Sequence, residues 1–261
     1  KPEKITKNGD YMKKYAKKTL LAAAALVTLT SLQSCLNNDD NYDYSLVMPN
    51  AIVTVKPVTD GEKEYFYLQL NEQEKLWPDG NSSHPYGEKE VRAFVNYTET
   101  DMPDDVDGEV YSQAVKINWM DSILTKTPVV CQAAEDGNIS TSDKYGTDPV
   151  SLFNDWMTNV EDGYLTLHFF TLFDNTGISH ELNLLLGLNP DDPYEVYFKH
   201  NAHGDNPSKQ GEGFVAFCLK DLPDTGGETV DLTLKFDTFS GQTETVKFKY
   251  RTRDDWSTAA D

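Results

Sequence analysis

The residues of this 261-residue chain best equipped for covalent chemistry lie near its start. Leu32, Gln33, Ser34 and Cys35 follow an apolar run at residues 20–30, itself preceded by a basic cluster of Lys13, Lys14, Lys17 and Lys18. A positive segment, a short apolar segment and a small residue at a cleavage point make up a secretory signal. The apolar run is shorter than the roughly 20 residues a membrane span requires. A cysteine directly behind a small residue offers its thiol to a diacylglyceryl group, and cleavage before it leaves Cys35 as an acylated amino terminus. Each buried methylene contributes about 0.8 kcal/mol, so several acyl chains on one residue anchor firmly.

Other groups could bind rather than bond. His200 and His203 with Asp205, in HNAHGD, supply two imidazoles and a carboxylate of the kind zinc takes, although the surrounding Gly, Asn and Pro favour a turn held by local hydrogen bonds. They are weak candidates, and neither a metal nor a cofactor is expected. The acidic stretch at residues 101–109 fails the calcium-loop spacing, with Pro103 where the first ligand belongs and Ala114 at the twelfth position. His168 sits within an apolar strand, His84 precedes a proline and His180 heads a strand. No GxSxG elbow, Walker or dinucleotide glycine pattern occurs, so no catalytic residue and no enzymatic activity is expected. Trp77, Trp119, Trp156 and Trp256 could stack on sugars or fill cores. Cys131 and Cys218 have no metal or redox spacing, and buried thiols are favoured over a disulfide between them.

Charge narrows the partners. The chain carries net −20, and removal of the seven lysines and two acids of residues 1–34 leaves 16 bases against 41 acids, or −25. Such a field repels phosphate backbones and anionic headgroups, which argues against nucleic-acid binding and leaves the membrane contact to the acyl chains on Cys35. Residues 36–45, polar and acidic, form a flexible tether. That acidity reads either as an export signal to the outer membrane surface or as a plain solvated linker.

Residues 1–11 are an upstream extension or tag, 12–34 the signal peptide and 35–45 the tether. From residue 51 the pattern is strand after strand. Residues 51–57, 64–70, 75–78, 90–98 and 110–119 are rich in β-branched and aromatic residues and separated by turn signals. Five strands in this length predict a small closed OB-type barrel, taken as residues 46–126. Residues 127–148, rich in Thr, Pro, Gly, Ser and Asp, read as a linker. Residues 149–252 read as a meander forming an antiparallel β-sandwich, with 253–261 as a tail. Leu182, Leu184, Leu186 and Leu188 share one face, as do Val230, Leu232, Leu234 and Phe236, and then Val246, Phe248 and Tyr250. Residues 148–157 fit a short helix or a strand equally.

The segments EVRAFVNYT, AVKINWMDSILTK, EDGYLTLHF, NPDDPYEVYFKHNAHGD, GFVAFCLKDLPDT and LTLKFDTFSG, in this order, resemble the NigD-like lipoprotein family over residues 51–251. The resemblance implies an amino-terminal OB domain and a carboxy-terminal β-sandwich behind a lipoprotein signal. The member that gives the family its name is inferred to be the immunity partner of a bacteriocin, many relatives have no assigned role, and the resemblance carries no catalytic residues. The expectation is an all-β, non-enzymatic outer-membrane lipoprotein on the periplasmic or cell-surface face that binds a protein partner. The competing expectation is a glycan-binding accessory of a polysaccharide uptake system.

Overall fold

The computed structural model describes residues 44–80, 84–131, 143–205 and 208–256. Cys35, most of the tether, the middle of the expected linker and the end of the tail lie outside the described residues. Among those described, strands dominate, with three short 3-10 turns and no α-helix.

Five strands close the barrel: β1 (Ala51–Asp60), β2 (Lys63–Gln69), β3 (Lys75–Pro78), β4 (Val91–Thr100) and β5 (Gln113–Ser122). Their circular order is β1-β2-β3-β5-β4, with β3 and β5 parallel. Alternation puts Val53, Val55, Phe66, Leu68, Leu76, Ala93, Val95 and Val115 inside. β1 nonetheless buries six consecutive residues, Ala51 to Lys56. Its outward side chains Ile52, Thr54 and Lys56 are covered by the second module, so both of its faces are dry. Between Asn96 and Tyr97, midway along β4, the β4–β5 register slips by a bulge, which bends the strand.

The second module pairs two sheets. Its strands are β6 (Leu124–Lys126), β7 (Val129–Val130), β8 (Ser151–Leu152), β9 (Asn159–Glu161), β10 (Tyr164–Phe173), β11 (Glu181–Leu186), β12 (Glu195–Asn201), β13 (Lys209–Cys218), β14 (Val230–Asp237) and β15 (Thr243–Tyr250). One sheet runs β6-β13-β10-β8 with β9 on β10, and the other β15-β14-β12-β11-β7. Leu165, Leu167, Phe169, Val215 and Phe217 meet Leu184, Leu186, Val196, Phe198, Leu232, Leu234 and Phe236 between them. The all-β barrel-plus-sandwich class follows the sequence expectation.

Three details correct it. The sandwich is not a meander: β13 crosses to the opposite sheet, so β12 and β14 become parallel neighbours. Nor is it purely antiparallel, since β6 and β7 also pair in parallel, with β13 and β11. Those two strands come from the end of the expected barrel range and the start of the expected linker; their backbone groups complete sheet edges, which composition alone does not reveal. Residues 148–157 resolve to a two-residue strand and turns, without a helix.

Candidate functional site

Two regions of the barrel exterior gather chemically capable side chains. The first is an aromatic face. On β2 the outward positions alternating with Phe66 and Leu68 are Tyr65 and Tyr67, and on β3 Trp77 alternates with Leu76. Tyr111, held by its amide on the Asp107 carbonyl at 3.0 Å, closes the group. Trp77 lies 5.0 Å from Tyr111 and 5.7 Å from Tyr65, and Tyr67 lies 6.1 Å from Tyr111. These tilted and edge-on contacts suit ring quadrupoles. Lys75 places its ammonium 5.5 Å above the Tyr67 ring, a cation–π arrangement. Burial is the main cause that pushes the phenols of Tyr67 and Tyr111 up to about 12, with Asp162 adding to it at Tyr67 and Tyr65 at Tyr111. Both remain neutral hydrogen-bonding groups at ordinary pH. All four rings are half-buried, which leaves part of each available to a ligand.

A polar cleft of about 350 Å³ adjoins this face and shares Tyr67 with it. Its walls include Lys56, Gln69, Glu72, Lys75 and Arg251. The arrangement can stack flat groups and hydrogen-bond their edges; neither feature supplies an activated nucleophile.

The second region is the joint behind the cleft. The two-residue loop Asp162-Gly163 links β9 and β10 with positive φ at both positions, 48° and 73°, the type I′ hairpin geometry that Asp-Gly favours. The turn aims Asp162 at Lys56 Nζ, 3.0 Å away. Gly163 is required twice, because a Cβ there would meet the Trp256 ring at 2.3 Å. Arg253 grips Glu90 with both terminal nitrogens, at 2.8 and 3.1 Å, and Asp162 at 3.5 Å, while its guanidinium lies 4.2 Å over Trp256. Tyr164 donates to the same Glu90 at 3.1 Å. Arg92, wholly buried on β4, donates to Thr54 at 3.1 Å and reaches Glu161 at 3.4 Å. Burial lowers the Arg92 proton affinity and raises the Glu161 and Asp162 carboxyls; at Glu90, burial is outweighed by Arg253, which holds that carboxyl low. An apolar seam of Ile52, Ile123 and Ala216, with Phe94 edge-on to Phe214 at 4.7 Å, continues the joint. Residues 253–256, expected as tail, are therefore a strap across the two modules.

The expected metal candidates do not converge. His200 Nε2 lies 2.9 Å from His180 Nδ1, His180 Nε2 lies 3.2 Å from Asp205, and His203 turns away to Glu181 at 3.7 Å. Among the described residues no metal-binding cluster forms. Asp205 accepts the amides of Asp174 at 2.9 Å and Asn175 at 3.2 Å, pinning the β10–β11 turn. Thr171 ends the chain 3.3 Å from His200 Nδ1 and donates its hydroxyl to the Pro149 carbonyl at 3.1 Å. Burial, then the neighbouring His180, holds the His200 imidazole below its usual range. The acids of residues 101–109 form a local turn, with Asp107 accepting the Glu109 amide at 2.8 Å. His168, stacked between Phe153 and Phe214 at 4.0 and 4.3 Å, faces Asp155 and Glu212, each at 2.7 Å. No disulfide links Cys131 and Cys218 among the described residues.

Of the four tryptophans, only Trp77 joins an aromatic face. Trp119 donates to the Leu46 carbonyl, Trp156 is exposed and Trp256 covers Arg253. Sequence reasoning missed the face because its members come from β2, β3 and a loop more than 30 positions on; the alternation at Tyr65 and Tyr67 was the available signal.

The comparisons agree with this geometry. Residues 52–123 match the NigD-like N-terminal OB domain and residues 132–250 the NigD-like C-terminal beta sandwich domain. A provisionally toxin-related protein of Parabacteroides distasonis is 35% identical, with 77% of this chain and 92% of that one covered and a TM-score of 0.59. A NigD-like immunity protein of Bacteroides caccae shares the fold at 21% identity, 77% and 95% coverage and TM-score 0.50. A provisionally assigned lipoprotein of Bacteroides fragilis does so at 9% identity, 78% and 99% coverage and TM-score 0.51. No curated protein matches. With both of its domain models matched in order on a barrel and a sandwich, the chain belongs to the NigD-like family.

Proposed function

We propose that this protein is a non-enzymatic outer-membrane lipoprotein, anchored through Cys35, that binds a protein partner through the aromatic face of its barrel, in an immunity-like role. The observation that carries the reading is the contact group Tyr65, Tyr67, Trp77 and Tyr111, left half-exposed beside a polar cleft. Tyrosine and tryptophan in such clusters dominate protein interfaces, because they bury much area at little entropic cost. Family membership supports it, as does the immunity protein among the structural neighbours, and a lipoprotein neighbour is compatible with the anchor. No helix of the described residues is long and apolar enough to cross a membrane. The test is affinity capture from envelope extracts of the producing cell. The intact protein should retain a stable protein partner that Trp77→Ala loses; capture unaffected by Trp77→Ala would reject the face.

A second reading rests on the cleft. Planar amide, carboxylate and guanidinium groups beside rings are the groups that engage sugar hydroxyls and stack on sugar faces, and OB barrels bind oligosaccharides along this side. Calorimetry with host and plant polysaccharides decides it: saturable heat abolished by Trp77→Ala supports a glycan, and no heat removes it.

A further inference from the structure

The large hydrophobic residues exposed on this protein are scattered singly, as Val110, Leu124, Val130, Trp156 and Phe239, except at one place among the described residues. There Leu46, Val47 and Met48 follow one another, exposed at 42%, 47% and 65%. They stand at the entry to the barrel, between a 3-10 turn (Tyr44–Leu46) and β1.

Their backbone is fixed from below. The buried Asn96 donates its amide to the carbonyls of Ser45 at 2.9 Å and Met48 at 2.6 Å. Trp119 donates its indole N–H to the Leu46 carbonyl. Asn50 exchanges two hydrogen bonds with the Tyr97 backbone, at 2.8 and 3.0 Å, and donates its own amide to Val95 at 3.0 Å. The carbonyls thus turn inward and the apolar side chains outward, in a fixed shape. A contiguous exposed apolar patch marks a contact surface, and a rigid one binds without a further ordering cost.

The chain itself indicates what covers it. Nine residues, 36–44, separate Cys35 from Ser45. Nine residues reach at most about 30 Å, whatever their conformation. With the acyl anchor proposed above on Cys35, a lipid surface would lie within about 30 Å of this end of the barrel. We propose that Leu46, Val47 and Met48, backed by Trp119, form a lipid-contacting foot that inserts into the headgroup–acyl boundary of the membrane and fixes the orientation of the barrel on it. The proposal rests on the anchor assigned above. The interface it fits is electrically neutral: the foot offers no cation, and the acidic chain repels anionic headgroups. Tryptophan is at home at this depth. A foot at the amino-terminal entry keeps the anchor and the first strand on one side of the molecule.

The processed, full-length lipoprotein in phosphatidylcholine vesicles doped with a diazirine-bearing phospholipid provides the test. After photolysis and peptide mapping, lipid adducts should concentrate on the peptide bearing residues 46–48, several-fold over the peptides bearing Val130 and Phe239. Leu46→Ser, Val47→Ser and Met48→Ser together should remove them without shifting the thermal melt, and Met48→Ser alone should lower them several-fold. Adducts spread evenly or centred elsewhere on acylated protein would overturn the foot alone. The same holds if the patch is shielded by a second copy and takes no lipid. An intact mass without acyl chains on Cys35 would overturn the anchor and, with it, the foot. Loss of the partner in affinity capture touches neither, because the aromatic face is a separate surface.

Discussion

Along the seam between barrel and sandwich the protein buries Lys56, Arg92, Asp162 and Arg253, while on the outer face of the same barrel it leaves Tyr65, Tyr67, Trp77 and Tyr111 half in water. The two regions share Tyr67 and Lys56 through one cleft, yet they reverse the ordinary distribution of polar and apolar groups in opposite senses. Buried charges lose hydration and recover it only through well-placed partners, so they add little net stability but make one arrangement of the modules much better than its neighbours. Half-exposed rings keep a solvation cost that a ligand can remove. The joint is thus expected to matter for stability and the face for binding.

Substitutions separate these roles, and the largest effect belongs to the joint. Arg253→Met leaves Glu90 without its two-pronged partner and Asp162 with Lys56 as its remaining ion-pair partner, and urea denaturation should show a loss of about 3–5 kcal/mol. Lys56→Met with Asp162→Asn, which keeps a residue suited to the left-handed turn, should cost less than Lys56→Met alone, since it removes the buried carboxylate left short of its lysine; a larger loss for the pair would show that the Asp162 carboxylate stabilises chiefly through its other partner, Arg253. On the face, Trp77→Ala should weaken partner binding by about 2 kcal/mol while changing unfolding by about 1 kcal/mol or less. An equal loss of fold stability would abolish the distinction between the regions.

The histidine network of the sandwich and the ionic joint respond to pH over different ranges. His200 binds a proton less readily folded than unfolded. As pH falls through the ordinary histidine value near 6.5, the unfolded chain takes up that proton first, so stability declines, by at most about 1.4 kcal/mol per pH unit for this group. Glu90 is held low, so its contribution persists above the ordinary carboxyl value and fades only below it. Between roughly pH 6.5 and 4.5 the wild type should therefore lose stability relative to His200→Gln in chemical denaturation. Parallel profiles would remove His200 as the source. The smallest effect concerns Lys75: Lys75→Gln deletes a half-exposed cation–π contact and should cost about 0.5–1 kcal/mol in thermal unfolding.

The strand pattern was readable where alternation is strict. Val230, Leu232, Leu234 and Phe236 point into the core as their spacing demands, and so do Val246, Phe248 and Tyr250. At Ala51 to Lys56 the strand itself was readable but its burial on both faces was not, because no period-two contrast marks the covered side when both faces are dry. The imidazoles illustrate another limit. His200 and His203 are neighbours in sequence and resemble a ligand pair, but a strand end followed by His203 at positive φ (50°) sends them apart. His180, twenty positions before His200, becomes the true neighbour through β11–β12 pairing.

By itself the chain determined its β character and its barrel and sandwich modules, because these depend on local backbone preference and on the period of apolar residues. Tertiary structure alone decided which charges meet and which rings gather. Lys56 and Asp162 stand 106 positions apart, and Arg253 and Glu90 stand 163 apart. No local preference links residues so distant: their pairing follows from which strands share an edge and which face each sheet turns to its neighbour, and those are settled when the cores pack.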